Sequence, residues 1–311
     1  MNNTAPFEID PARTAIAVAY RNPAYIAGLV LPPVPVNRQE FKWQSFDLAE
    51  DFTPPATEIS RRGSANEVEF GSTELTDRTQ DHGLDDFVPQ NDIDNAGENQ
   101  DPVDRATVQT TELVLIRKEM RAAATVFAAG NYDASCKVQL SGNDQWSASH
   151  ADSTPIADIE TGLNACLIRP NTAVFGQETW SVLRRHPQIV SAVLGNNGTN
   201  GLVTRQQFAD LFELQSVHVG VSRRNTAAKG QSPSLARIWG KHAAFLYLDP
   251  NADTNGGITF GYTATWRKLV VMTRPDPKRG GFGGTDVMVR ESVKEKAIAN
   301  RAGYYVQDAI A

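Results

Sequence analysis

The stretch "DPVDRATVQTTELVLIRKEMRAAATVFAAG" (residues 101–130) predicts one long helix, and its length sets the scale for everything around it. Asp101 stands at the N-cap, where a carboxylate takes free N–H groups of the first turn, and Pro102 suits the first helical position. Val108, Leu115, Met120, Ala123, Val126 and Phe127 supply the apolar residues, and Gly130 is expected to close the helix. Roughly 28 residues at 1.5 Å rise make a rod of about 40 Å. That is longer than a typical globular helix and points to a structural spine.

Upstream the chain is unusual for the start of a domain. "RNPAYIAGLVLPPVPVNRQEF" (21–41) is apolar but broken by Pro23, Pro32, Pro33 and Pro35. Proline fixes φ and removes a donor, so "LPPVPV" should be extended and barred from a sheet interior. Such an arm must lie against a surface, its own or a partner's. "EFKWQSFDLAEDF" (40–52) and "NEVEFGSTELT" (66–76) then alternate in strand fashion, with Phe41 and Trp43 on one and Val68 and Phe70 on the other. Between them lies the polar tip "TPPATEISRRGSA" (53–65), carrying Arg61 and Arg62. Together they predict a long hairpin, too weak to stand alone.

Charge divides the chain unevenly. The net charge is −6, yet residues 40–104 hold seventeen acidic side chains against four basic ones, leaving the remainder positive. An acidic extended segment on a basic body suggests that one part lies on another, in the same copy or a neighbour. The overall sign argues against a protein whose main task is gripping nucleic acid. The longest apolar run, 122–130, is too short to span a bilayer, and Glu8 and Asp10 stand where a signal peptide would be basic.

After the spine the pattern is mixed. "YDASCKVQLSGNDQW" (132–146) suggests a strand and turn, "IADIETGLNACLI" (156–168) a helix and "NTAVFG" (171–176) a strand. "WSVLRRHPQIV" (180–190) should place Trp180, Leu183, Ile189 and Val190 in a core, with Pro187 opening a second helix. "VTRQQFADLFEL" (203–214) carries a capping box, Thr204 with Gln207. The rest, from "QSVHVGVSRR" (215–224) to "KAIANRAGYYVQDAI" (296–310), is mostly strand. The fold class is α+β.

Catalytic and metal motifs fail on inspection. "GVSRR" (220–224) lacks the second glycine of a nucleophile elbow, because Arg224 occupies it. In "DPNADTNGG" (249–257) a calcium loop would need Gly at Thr254 and an acid at Phe260. "KRGGFGGTD" (278–286) fits neither a dinucleotide fingerprint nor a P-loop. The five histidines are scattered, and Cys136 and Cys166 lack metal-ligand spacing, so two free thiols are expected. No catalytic residue, cofactor or metal is assigned.

The order of parts carries more information than any motif. Proline-rich arm, acidic hairpin, spine helix, compact α/β region and closing strands resemble the major capsid proteins of tailed bacteriophages, which share the Hong Kong 97-type fold. The local match is strongest from about Tyr132 to Leu248, through "YDASCKVQLSGNDQWSASHADSTPIADIETG", "WSVLRRHPQIVSAV", "GLVTRQQFADLFEL", "VHVGVSRR" and "RIWGKHAAFLYL".

The resemblance implies an N-terminal arm at 1–40 and an extended loop at 41–80 that lies over a neighbour. It implies a peripheral domain at 81–165 with spine helix 103–129, an axial domain at 166–256, and peripheral return strands at 257–311. It further implies self-assembly into hexamers and pentamers of an icosahedral shell enclosing double-stranded DNA without reading its sequence. Portal, scaffolding and decoration proteins would be partners, the virion the destination and the bacterial host cytoplasm the place of synthesis. A chain that keeps Met1 in the mature particle would rely on a separate scaffold. Candidate inter-subunit contacts are Trp43, Arg61, Arg62, Phe70, Arg184 and Arg185.

Some such proteins are welded by an isopeptide bond from a loop lysine. Here the tip offers only Arg61 and Arg62, and Lys42 lies near the hairpin base, so a non-covalent shell is expected. The competing reading within the fold is an encapsulin-type nanocompartment shell, disfavoured because the arm is long and proline-broken. An enzyme built on the α/β region is the remote alternative.

Overall fold

The computed structural model describes residues 7–19, 22, 24–46, 54, 56–65, 67, 72–97, 100–147, 152–195, 201–228, 230–252 and 257–311. The spine helix runs Pro102–Val126. Asp101 caps it, accepting from the N–H of Val103 at 2.8 Å and of Asp104 at 3.3 Å. It stops short of residue 129 because side chains beyond it take its last carbonyls. Tyr132 Oη donates to the Val126 carbonyl at 2.6 Å, and Asn131 Nδ2 to that of Thr125 at 2.7 Å. Gly130 falls instead in a short 3₁₀ turn, Ala129–Asn131.

The buried face of the spine follows the expected residues at Ala123 and Val126, both buried, but departs from them earlier in the helix. Val108, Leu115 and Met120 are only half-buried, whereas Val103, Ala106, Thr107, Thr110, Thr111 and Val114 are buried. Small alanines and threonines let the helix lie close to a sheet. The hydroxyl of Thr107 is satisfied by bonding back to the Val103 carbonyl at 2.9 Å. Size, more than hydrophobicity, selects this face.

In chain order the strands are β1 (Glu8–Ile9), β2 (Pro33–Pro35), β3 (Glu40–Phe46), β4 (Ser72–Arg78), β5 (Gln80–Pro89), β6 (Lys137–Gln139) and β7 (Thr172–Gly176). They continue with β8 (Ser216–Gly220), β9 (Arg223–Asn225), β10 (Leu235–Arg237), β11 (Ala243–Leu246), β12 (Gly261–Asp276), β13 (Gly284–Ala297) and β14 (Gly303–Gln307). The sheet under the spine runs β1-β12-β13-β5, with β2 also on β12. Val271, Val287 and Val289 meet Val103, Ala106 and Val114 of the spine and Ala17 of helix Pro11–Ala19.

The second sheet runs β6-β14-β11-β7-β8. β7 and β8 are parallel neighbours, so the chain must cross over between them. It does so through helices Gln177–Leu183, Pro187–Leu194 and Arg205–Leu211. Their apolar sides close a core around Phe175, Trp180, Phe208, Phe212 and Phe245. Trp180 lies 5.5 Å edge-on from Phe208, and Leu183, Ile189 and Val190 are fully buried. Thr204 and Gln207 form the expected capping box.

This sheet gathers chain from both sides of the seams expected at 165/166 and 256/257. β6 and β14 pair within it, and helix Pro155–Ala165 packs Ile159 and Leu163 into the same core. Gly162 of that helix faces the Tyr304 ring so closely that a Cβ would stand 2.1 Å away. Gly→Ala in a helix normally gains about 1 kcal/mol, but overpacking here should cost about 2–3 kcal/mol. Gly162→Ala is therefore expected to lower the urea midpoint of the unassembled subunit. An unchanged or raised midpoint would show that β14 yields easily.

The proline arm joins a sheet only at its margin. β2 runs parallel to Thr263–Thr265 of β12, with Val34 buried and Pro33 and Pro35 exposed. The region before it is less extended than expected, since Pro11–Ala19 and Ala27–Val30 are helical.

Candidate assembly surfaces

Three places hold the residues singled out in the sequence or anchor the segments that carry them: the foundation of the acidic hairpin, the seat of the arm, and the arginine-bearing helix end. The hairpin stands on its own subunit. β3 and β4 pair antiparallel from Glu40↔Arg78 to Phe46↔Ser72. At its base Phe41 and Trp43 are buried with Val34, Val36, Tyr262 and Ala264. Lys296 of β13 lies 5.2 Å from the Trp43 ring centroid and pairs with Asp77 of β4 at 2.9 Å. Trp43 is thus already packed by its own chain.

Lys42, the only lysine of this segment, is paired with Glu74 across the strands. Arg61 and Arg62 occupy an exposed turn, and neither makes an ion pair among the described residues. Val68 and Phe70 lie outside the described residues, as do Asp253 and Thr254 of the rejected calcium loop. No group of three or more metal-binding side chains occurs among the described residues. None of the described helices is long and apolar enough to cross a membrane.

The arm is seated by two glutamates that the sequence reading missed. Glu112 and Glu119 lie seven residues, about two turns, apart on the spine and so share a face. Glu112 accepts from Asn22 Nδ2 at 3.1 Å and from the Tyr25 hydroxyl. Glu119, 1% exposed, accepts from the Ala27 N–H and from Trp239 Nε1, both at 2.6 Å. Burial pushes the Glu119 carboxyl above its ordinary range, and these two bonds offset this only in part. One carboxylate therefore ties the arm and the spine to the loop that leads into β11 of the second sheet. A charged residue between apolar neighbours at helical spacing was the available signal.

On another side of the spine, Lys118 and Arg121 meet Glu291 at 3.1 and 3.2 Å, and Arg121 meets Glu295 at 3.0 Å. Asp286, fully buried, is held by Arg274 at 2.6 Å and Arg279 at 2.7 Å. Both cysteines are free. Burial, with the Cys136 thiol alongside, pushes Cys166 up to about 12, which keeps it protonated and unreactive.

In "WSVLRRHPQIV" the paired arginines part company. Arg184 caps helix Gln177–Leu183 and is half-buried, whereas Arg185 is exposed. His186 caps the next helix, its Nδ1 accepting from the Gln188 N–H at 3.3 Å and its Nε2 facing Ser153 Oγ at 3.3 Å. Burial holds this imidazole below its ordinary range. Arg184 and His186 thus stand at helix ends, and Arg185 faces solvent.

A spine helix on one sheet, a compact α/β core on a second, an N-terminal arm and a projecting hairpin define the Hong Kong 97-type capsid fold. Among solved structures, a phage-related protein from Bordetella bronchiseptica RB50 superposes with TM-score 0.73, at 21% identity and 98% coverage of both chains. The capsid protein of cyanophage P-SCSP1u gives 0.57 at 9% identity, covering 89% of this chain and 86% of that one. A virus-like particle from Pyrococcus furiosus also gives 0.57 at 9% identity, over 95% and 97%. No family model matches the sequence.

Curated relatives are more specific. The major capsid protein of Pseudomonas phage JBD67 is 48% identical over 309 residues, 99% of both chains. That of Burkholderia phage BcepMu is 27% identical over 248 residues, 77% of this chain and 76% of its own. The chain belongs to the major capsid proteins of bacteriophages.

Proposed function

We propose that this chain assembles, as hexamers and pentamers, into the icosahedral shell enclosing the double-stranded DNA of a tailed phage. The observation that carries this is the full-length likeness to a curated major capsid protein. The form of the subunit supports it: the hairpin base is packed by its own chain, while Arg61 and Arg62 stand exposed. Many weak contacts of this kind sum to a stable shell.

The loop at 41–80 reaches over a neighbouring copy, while the arm at 1–40 is anchored on its own spine and sheet. The peripheral part is built on the spine. The axial part extends beyond 166–256 to take in helix Pro155–Ala165 and β14. Arg61, Arg62, Phe70, Arg184 and Arg185 are contacts between copies, with Trp43 as the footing of the loop. Portal, scaffolding and decoration proteins complete the particle, which is made in the host cytoplasm, and the chain itself catalyses nothing. A net charge of −6 keeps its grip on packaged DNA loose and indifferent to sequence.

The test is the content of native particles: nuclease-protected double-stranded DNA in tailed heads. Shells filled with a protein cargo would support the nanocompartment reading instead. Mature particles should also run as single subunits on a denaturing gel, because arginine cannot form the isopeptide and Lys42 is engaged at the base. Ladders of multiples would contradict this.

A further inference from the structure

Most half-buried arginines are paired within the subunit, but Arg184 and Arg290 are not. Arg13, Arg121, Arg237 and Arg274 each have a carboxylate within reach, at 2.7, 3.0, 3.5 and 2.6 Å. Arg184 and Arg290 have none among the described residues, and of these two it is Arg184 whose Nε is sealed from solvent without an acceptor. A shielded guanidinium N–H left unpaired is costly until an acceptor arrives.

Its surroundings indicate which acceptor. The Val203 N–H donates to the Arg184 carbonyl at 2.8 Å, binding the two segments together. Between them lies a cleft of about 260 Å³ lined by Gln177, Trp180, Arg184, Val203, Thr204 and Arg205. Two of the six lining residues are cationic and none is acidic. Arg205 is exposed and makes no ion pair among the described residues. Its charge reaches further: after burial, it is what holds His218 below the ordinary imidazole range. The cleft is thus a site of positive potential, with Arg205 exposed and Arg184 half-buried in its lining. Arg185, next in sequence, does not line it.

We propose that the Arg184–Arg205 cleft is a carboxylate receptor, filled in the assembled shell by an aspartate or glutamate of a neighbouring copy. The inference rests on the assembly reading above and names one contact within it. A second copy is favoured over a nucleic-acid phosphate because the chain carries 36 acidic against 30 basic residues. A shell also surrounds every copy with others. A planar guanidinium suits a carboxylate presented in two-point fashion, and Trp180 forms one wall of the cleft.

Arg184→Met keeps the aliphatic stem that packs in the subunit and removes the charge. Unassembled Arg184→Met should melt at or above the wild-type temperature, since no internal partner is lost. Its threshold concentration for assembly, read by light scattering, should rise about tenfold or more, and the threshold should lose much of its salt dependence. Arg205→Met, at an exposed position, gives the same readout if Arg184→Met fails to fold.

High-resolution imaging of wild-type shells should place a neighbour's carboxylate oxygen within about 4 Å of the Arg184 guanidinium. Assembly of Arg184→Met or Arg205→Met at the wild-type threshold would overturn the proposal, as would a cleft facing solvent or DNA phosphate. In those cases the shell reading survives. A wild-type chain that forms no shells overturns both.

Discussion

Replacing Glu119 by alanine is expected to cost the subunit about 3 kcal/mol, the loss typical when one partner of a buried charged hydrogen-bond set is removed. The carboxylate is 1% exposed and accepts two N–H groups at 2.6 Å from two different parts of the chain. Without it, the Ala27 N–H and Trp239 Nε1 lose their acceptor in a region packed by Val30, Leu31, Ala122 and Phe260. Glu119→Gln should lie between, because one amide oxygen replaces one acceptor while the amide nitrogen faces a donor.

The pH dependence has a definite sign. The folded carboxyl titrates above its ordinary 4.5, so its favourable contribution is complete below that pH and declines as pH rises through the folded value. The deficit of Glu119→Ala, measured by urea unfolding of unassembled subunits, should therefore shrink as pH rises above 4.5. A deficit below about 1 kcal/mol, or one that grows with pH, would contradict the role given to Glu119.

The second large effect falls on assembly and spares the fold. β3 and β4 end opposite one another, at Phe46 and Ser72, so residues 47–71 can be replaced by a two-residue Asn-Gly turn without disturbing the register. The base stays packed through Phe41, Trp43 and Lys296. The shortened subunit should keep its circular dichroism and melt within a few degrees of wild type. It should form no closed shells, because the segment meant for the neighbour is gone. Normal shells from this variant would reduce the hairpin to an ornament of the subunit.

How much of this was legible in the sequence depends on whether the signal was local. Asp101-Pro102 and Thr204 with Gln207 are written within four residues, and the structure has both caps where they were expected. Trp180, Leu183, Ile189 and Val190 followed from helical spacing and are buried. On the spine, Ala123 and Val126 are buried as expected, but Val108, Leu115 and Met120 are not, because periodicity weights large apolar residues whereas close approach to a sheet favours Ala and Thr. The helix end was misread because Asn131 and Tyr132 close it from outside the helix.

Strand β5, at 80–89, was missed altogether. Its "QDHGLDDFVP" is acidic and mostly exposed, and only pairing with β13 makes it a strand. The same holds for the candidate contacts. Sequence set Arg184 and Arg185 side by side as equals, and only the packing of Val203 against the helix end separates a half-buried cation from an exposed one. Long-range partners such as Trp239 for Glu119 leave no local trace.

The central claim is that this chain is a shell subunit, and the most direct measurement is electron microscopy of the purified protein under assembly conditions. The account predicts closed icosahedral particles of uniform diameter built from hexamers and pentamers. Protein that stays strictly monomeric across concentration and salt would contradict it.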